Sequence, residues 1–178
     1  VCMALGEAIT NLAAADVQKI SDIKVSANWM AASGEDNEDG GLFNSVKALA
    51  IDTCIDLGIS IPVGKDSLSM KTSWVDGKHD LEVSSPLSLV ISAFSPVADV
   101  RRTLTPQLVA DEETVLLLVD MGNGRCRMGG STLFQTYEII EGVPPDILST
   151  GLLAAFFELI QDLKKKAMIL AYHDRSDG

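Results

Sequence analysis

The chain has 178 residues, 47% of them apolar, and a formal net charge of −11. This suits one large or two small globular domains and excludes a disordered chain. The acid excess excludes non-specific nucleic-acid binding, which needs clustered Lys and Arg, but leaves room for a nucleotide carried on a divalent cation.

Leu5, Ile9, Leu12 and Ala13 recur at helical spacing, which predicts a helix over 3–20. "SDIKVSANWM" (21–30) alternates as a strand, with Val25, Ala27 and Trp29 on one side. "ASGEDNEDGG" (32–41) reads as a solvated acidic loop, because its acids do not alternate as an EF-hand requires. Leu42, Val46, Leu49, Thr53 and Leu57 trace a second helix over 42–57, with Gly58 as its C-terminal cap. A short strand is expected at Ile59–Val63, and Asp76-Gly77 reads as a hairpin turn between extended arms. "LEVSSPLSLVISAF" (81–94) reads as one long strand.

Residues 95–113, with two prolines and little periodicity, mark a boundary between two α/β units. Beyond it, "TVLLLVDMG" (114–122) reads as a buried strand, 128–140 as a glycine-rich turn and helix, and 151–166 as an amphipathic helix with cations in its last turn. "AMILAYHDRSDG" reads as a strand ending in a charged loop. The longest clean apolar run, "GLLAAFF" at 151–157, is far too short for a membrane span, and no signal segment is visible, so a soluble, cytoplasmic protein without a membrane partner is expected. Cys2, Cys54 and Cys126 form no C-x-x-C pair and read as free thiols. The chain opens within a helical pattern and closes on a polar loop, which suggests a piece of something longer.

"GISIPVGKDSLSMKT" (58–72) is not a phosphate-binding P-loop. Gly58 is one residue too far from Gly64, and Asp66 stands where the motif needs a hydroxyl. Glu7 and Asn11 are four apart on one helical face and offer two hard oxygen ligands suited to Mg²⁺, or simply a solvated face. Asp174 and Ser176, at the end of an apolar segment, are open to readings as a metal ligand with a phosphate or ribose contact, or as a surface loop. His173 reads as a packing or hydrogen-bonding residue, since no paired nucleophile is visible. "GNGRCRMGGS" (122–131) lacks the dinucleotide spacing and reads as a turn that could touch an anion.

"GEAITNLAAA", "SANWMAA", "GISIPVGKDSLSMKT", "SSPLSLVISAF", "TLTPQL" and "LAYHDRSDG" occur in an order and at distances that resemble the large, single-chain phosphoribosylformylglycinamidine synthases. The resemblance spans essentially the whole chain. It implies an α/β (α+β) fold: the end of a nucleotide-binding domain of the aminoimidazole ribonucleotide synthetase-like superfamily (1–94), then the start of its C-terminal α/β domain (95–178). It implies a purine-biosynthetic ligase that uses ATP and glutamine to convert formylglycinamide ribonucleotide to its amidine. A glutaminase domain elsewhere would supply ammonia, and this piece alone would be inactive. Glu7, Asn11 and Asp174 fall on the family's Mg²⁺ ligands and Ser176 on a nucleotide contact, around a tightly held ADP; Lys65 is carried as a further ligand contact. The alternatives are a non-catalytic Mg-nucleotide module or another member of the superfamily, against which "PVGKDSLSMKT" and "HDRSDG" argue. Open sheet edges would favour self-association.

Overall fold

The structure, a computed structural model, describes residues 1–35, 37–110 and 113–175. Helix α1 (Cys2–Leu12) is followed by a 3-10 turn (Ile20–Asp22) and strand β1 (Lys24–Met30). A long helical stretch comes next: α2 (Glu38–Val46), a π-helical segment (Lys47–Cys54) and α3 (Ile55–Leu57). Strands β2 (Ser60–Ser67), β3 (Lys71–Asp76), β4 (His79–Ser84) and β5 (Ser88–Phe94) then run to a 3-10 turn at Val100–Arg102. Two helices, α4 (Thr132–Thr136) and α5 (Thr150–Lys165), lie in the second half. This is a mixed α+β architecture with small sheets.

The main sheet has the order β2-β1-β5, with β1 parallel to β2 and antiparallel to β5. Val25, Ala27 and Trp29 point to one face and are buried. Their β5 partners Ala93, Ile91 and Leu89 extend that face. Leu5, Ile9 and Ala13 of the α1 region pack there, with Leu49, Cys54 and Leu57 from the long helix. Leu153, Phe156, Phe157 and Ile160 of α5 enter the same core. The Trp29 indole donates to Ser45 Oγ at 2.8 Å, so a buried N–H keeps its partner. Gly58 ends α3 at φ +67°, the left-handed cap expected of it.

Several boundaries differ from the sequence reading. The first helix stops at Leu12, not at residue 20, and tertiary partners take the carbonyls that a continuing helix would use: Leu104 N–H donates to Ala14 O at 2.9 Å, and Lys164 reaches the same turn. The predicted strand 21–30 begins at Lys24, since Ile20–Asp22 form a 3-10 turn. The second helix starts inside the expected acidic loop, at Glu38, where Glu38 and Asp39 favour the dipole of the first turn. Strand β2 runs on to Ser67 because β1 supplies a parallel ladder. The supposed long strand 81–94 is two strands. Pro86 cannot donate to a ladder, and the Ser85 N–H bonds Met70 O instead. The hairpin closes on the Asp76–His79 pair, leaving Gly77-Lys78 as the loop, with Gly77 at φ +63°.

The second half departs further. Residues 114–120 belong to no strand, and Leu116 and Leu117 are more than 80% exposed. A continuous apolar run becomes a strand only where a neighbour offers a ladder, and among the described residues none does. The helix expected across 128–140 shrinks to α4, capped by Ser131 Oγ, which accepts from Phe134 N–H at 3.2 Å; Glu138, at φ +55°, has already left it. Residues 167–172 form no strand; the Tyr172 N–H instead reaches Thr105 O at 3.0 Å.

Candidate functional site

Glu7 and Asn11 lie one turn apart on α1, on the side away from Leu5 and Ile9. The Asn11 amide donates to Glu7 O at 2.9 Å and to Asp174 Oδ2 at 3.1 Å. Residues separated by 163 positions thus meet directly. With its NH₂ group committed to these two acceptors, Asn11 has, among the described residues, its side-chain carbonyl oxygen left over as a hard donor.

Asp174 is held from its own segment as well. Its side chain is only 11% exposed, and His173 Nδ1 lies 3.6 Å from Asp174 Oδ1. His173 Nδ1 also contacts the Asp174 carbonyl. His173 itself is exposed, which makes it a hydrogen-bonding rather than a packing residue. Two residues earlier, the Tyr172 hydroxyl donates to Thr10 O at 2.8 Å. Burial, with the nearby Asp174 charge adding, pushes the Tyr172 phenol well above its ordinary range, so it remains a donor at any physiological pH.

The glycine-rich loop after residue 120 is closed on itself. Asp120 accepts from the Gly122 N–H at 2.7 Å and the Gly124 N–H at 2.8 Å. These bonds, with Arg175 nearby, hold its carboxyl below the usual range. The N–H groups that an anion would need at Gly122 and Gly124 are therefore spent on Asp120.

Lys65 is not brought to this site. It sits on β2 opposite Asn28 and bonds Asn28 Oδ1 at 3.3 Å, Ser67 Oγ at 2.8 Å and Asp66 O at 3.5 Å. It also lines a shallow depression with Trp29, Leu42 and Val46. Ser176 lies outside the described residues.

Two carboxylates and an amide oxygen are the hard donors that Mg²⁺ accepts, and that ion ordinarily completes its shell with water and phosphate. Glu7, Asn11 and Asp174 fit that chemistry. Among the described residues no three His, Cys, Asp or Glu side chains gather into a group that could hold a metal ion.

Sequence reasoning missed Lys164. Its cationic tail "DLKKK" reads as solvated, yet Leu153, Phe157, Ile160 and Lys164 follow one helical stripe, and that spacing was the available signal. Lys164 is buried, and its ammonium donates to the carbonyls of Ala13, Ala14 and Ala15 at 3.2, 2.8 and 2.5 Å. Gln161 Nε2 adds a bond to Ala13 O at 3.0 Å. Buried Asp16 sits nearby, with Arg102 3.7 Å from its carboxylate. Helix α5 thereby clamps the C-terminal end of the helix that carries Asn11.

The mixed α+β fold with its small sheets is consistent with a PurM-like domain. Residues 1–96 match the family model described as FGAR-AT PurM_N-like domain. That match covers more than half of the 178 residues, and the chain belongs to this family. The family is enzymatic and is tied to the FGAR amidotransferase of purine biosynthesis. No helix among the described residues is long and apolar enough to cross a membrane.

Proposed function

We propose that this chain is part of an ATP- and glutamine-dependent ligase that converts formylglycinamide ribonucleotide to formylglycinamidine ribonucleotide. In this reading residues 1–94 end a nucleotide-binding α/β domain of the aminoimidazole ribonucleotide synthetase-like superfamily, and residues 95–178 begin its C-terminal α/β domain. Its partners are the nucleotide and the remaining domains of a large, cytoplasmic synthase, including a glutaminase. The family match supports the activity class. The single observation that carries the site is the Asn11–Asp174 hydrogen bond, which joins α1 to the segment beyond α5.

In this site Glu7, Asn11 and Asp174 would hold Mg²⁺, and the resemblance assigns the nucleotide contact to Ser176. When bound, the cation neutralises the polyphosphate charge that these carboxylates would otherwise repel. Asn11 orients the Asp174 carboxylate, and α1 fixes Glu7 one turn away. Lys65, on β2, is a separate ligand contact at the depression beside Trp29.

A second reading, a structural Mg-nucleotide module, is favoured by the same contact. A ligand bridging α1 and the 172–174 segment stabilises the folded chain by linkage, by about 2.7 kcal/mol at a hundredfold excess over Kd. Thermal unfolding with MgADP tests the site. The wild type should gain stability and Asp174→Asn should not. A well-folded wild type with no gain at millimolar MgADP overturns it. Turnover assays on the full-length synthase separate the readings: Asp174→Asn that lowers stability but spares chemistry marks a structural site, and lost turnover in a stable protein marks a catalytic one. The 178-residue chain alone should show no synthase activity. Its main sheet has β2 and β5 as edge strands, so light scattering should show self-association.

A further inference from the structure

We infer that Tyr172 is the positioning residue that sets Asp174 against Asn11; the inference rests on the Mg-nucleotide reading only for its functional consequence. The Thr10 carbonyl is one of the last in α1. The Ala14 N–H that would reach it in a continuing helix bonds Asn11 O instead, at 3.2 Å. Helix ends leave such carbonyls in need of outside donors. The Tyr172 hydroxyl supplies one at 2.8 Å.

The same residue is fixed at two further points. Its backbone N–H donates to Thr105 O at 3.0 Å, and its ring packs against the core. Tyr172 is thus tied to α1 through its tip, to the 103–105 segment through its backbone and to the core through its ring. Asp174 follows two residues later. Thr10 and Asn11 are consecutive on α1, and so the hydroxyl that grips Thr10 O delivers the Asp174 carboxylate to the next side chain, Asn11. Residues 167–172 lie in no ladder, which makes these bonds the register device for the segment. Outer partners that orient metal-binding groups commonly govern affinity by ten- to hundredfold.

The test is Tyr172→Phe in the same chain. Phe keeps the ring in its packing site and removes only the hydroxyl. The first measurement needs no ligand: the side-chain NH₂ resonances of Asn11 in an isotope-labelled sample, identified by their loss in Asn11→Ala. In the wild type they should be shifted from free-amide values. In Tyr172→Phe they should move toward them. Trp29→Phe, which lowers stability through the Ser45 bond on a different element, should leave them in place. The second measurement is the Mg²⁺ midpoint of the ADP-dependent thermal shift, expected to rise about tenfold in Tyr172→Phe. Unchanged Asn11 signals in Tyr172→Phe overturn the positioning role, whatever the metal does. Moved Asn11 signals with no Mg²⁺ effect in the wild type sustain the positioning role and overturn the metal reading alone.

Discussion

Lys164→Met removes an ammonium from beneath the end of α1 while keeping the length of the side chain. Three carbonyls lose a charged donor, but none is left bare. Ala13 O keeps Gln161 Nε2 at 3.0 Å, Ala14 O keeps the Leu104 N–H at 2.9 Å, and Ala15 O keeps the Val17 N–H at 2.9 Å. The cost is therefore that of charge-assisted bonds, about 1.5–3 kcal/mol, offset by release from burying a cation. Because that burial opposes the bonds, a net loss of no more than about 1 kcal/mol is expected at pH 7.

The sign of the pH dependence discriminates between two competing effects. Burial pulls Lys164 from 10.5 down to about 8, opposed by Asp16 and reinforced by Arg102. The three carbonyls, which favour the charged form, pull the other way. With burial dominant, the unfolded chain between about pH 8 and 10.5 keeps a proton that the folded chain has released. Stability of the wild type then rises with pH through that window relative to the Met variant, which has nothing to titrate. The full span would be worth about 3 kcal/mol, and partial solvation and the carbonyls reduce it to about 1–2. Urea unfolding of both proteins at pH 7, 8.5 and 10 measures it. A stability gap that narrows as pH rises would refute the reasoning, because it would mean that the carbonyls outweigh burial.

The thiols should separate by exposure. Cys126 should react first with an aromatic disulfide reagent at pH 8, while Cys54, buried and pushed up to about 11, should react only on unfolding; rapid modification of Cys54 in the folded chain would contradict this. Gly58→Ala places a side chain at φ +67°, and although the nearest atom is 3.5 Å away it should cost about 1–2 kcal/mol in chemical denaturation; a neutral result would show that α3 can end otherwise. Phe157→Ala empties the centre of the shared core and should cost about 3–5 kcal/mol; a loss below about 1 kcal/mol would mean that α5 does not pack there.

Much of the helical framework was legible in the sequence. Spacing alone marked α1 and α5 and put Glu7 and Asn11 on one exposed face, and Gly58 signalled its cap, because helical period and capping are local properties. The resemblance carried Asp174, which neither spacing nor composition could have attached to Asn11. Strands were legible only where a neighbour existed. Val25, Ala27 and Trp29 alternate into a real ladder, while the stronger apolar run at 115–119 forms none. A strand is stabilised by its partner, and the sequence of one segment does not state whether a partner is present. The end of α1, the burial of Lys164 and the grip of Tyr172 on Thr10 were likewise decided only by tertiary structure. Each depends on which distant donor reaches a helix-end carbonyl, and that is set by how α1, α5 and the 172–174 segment pack together.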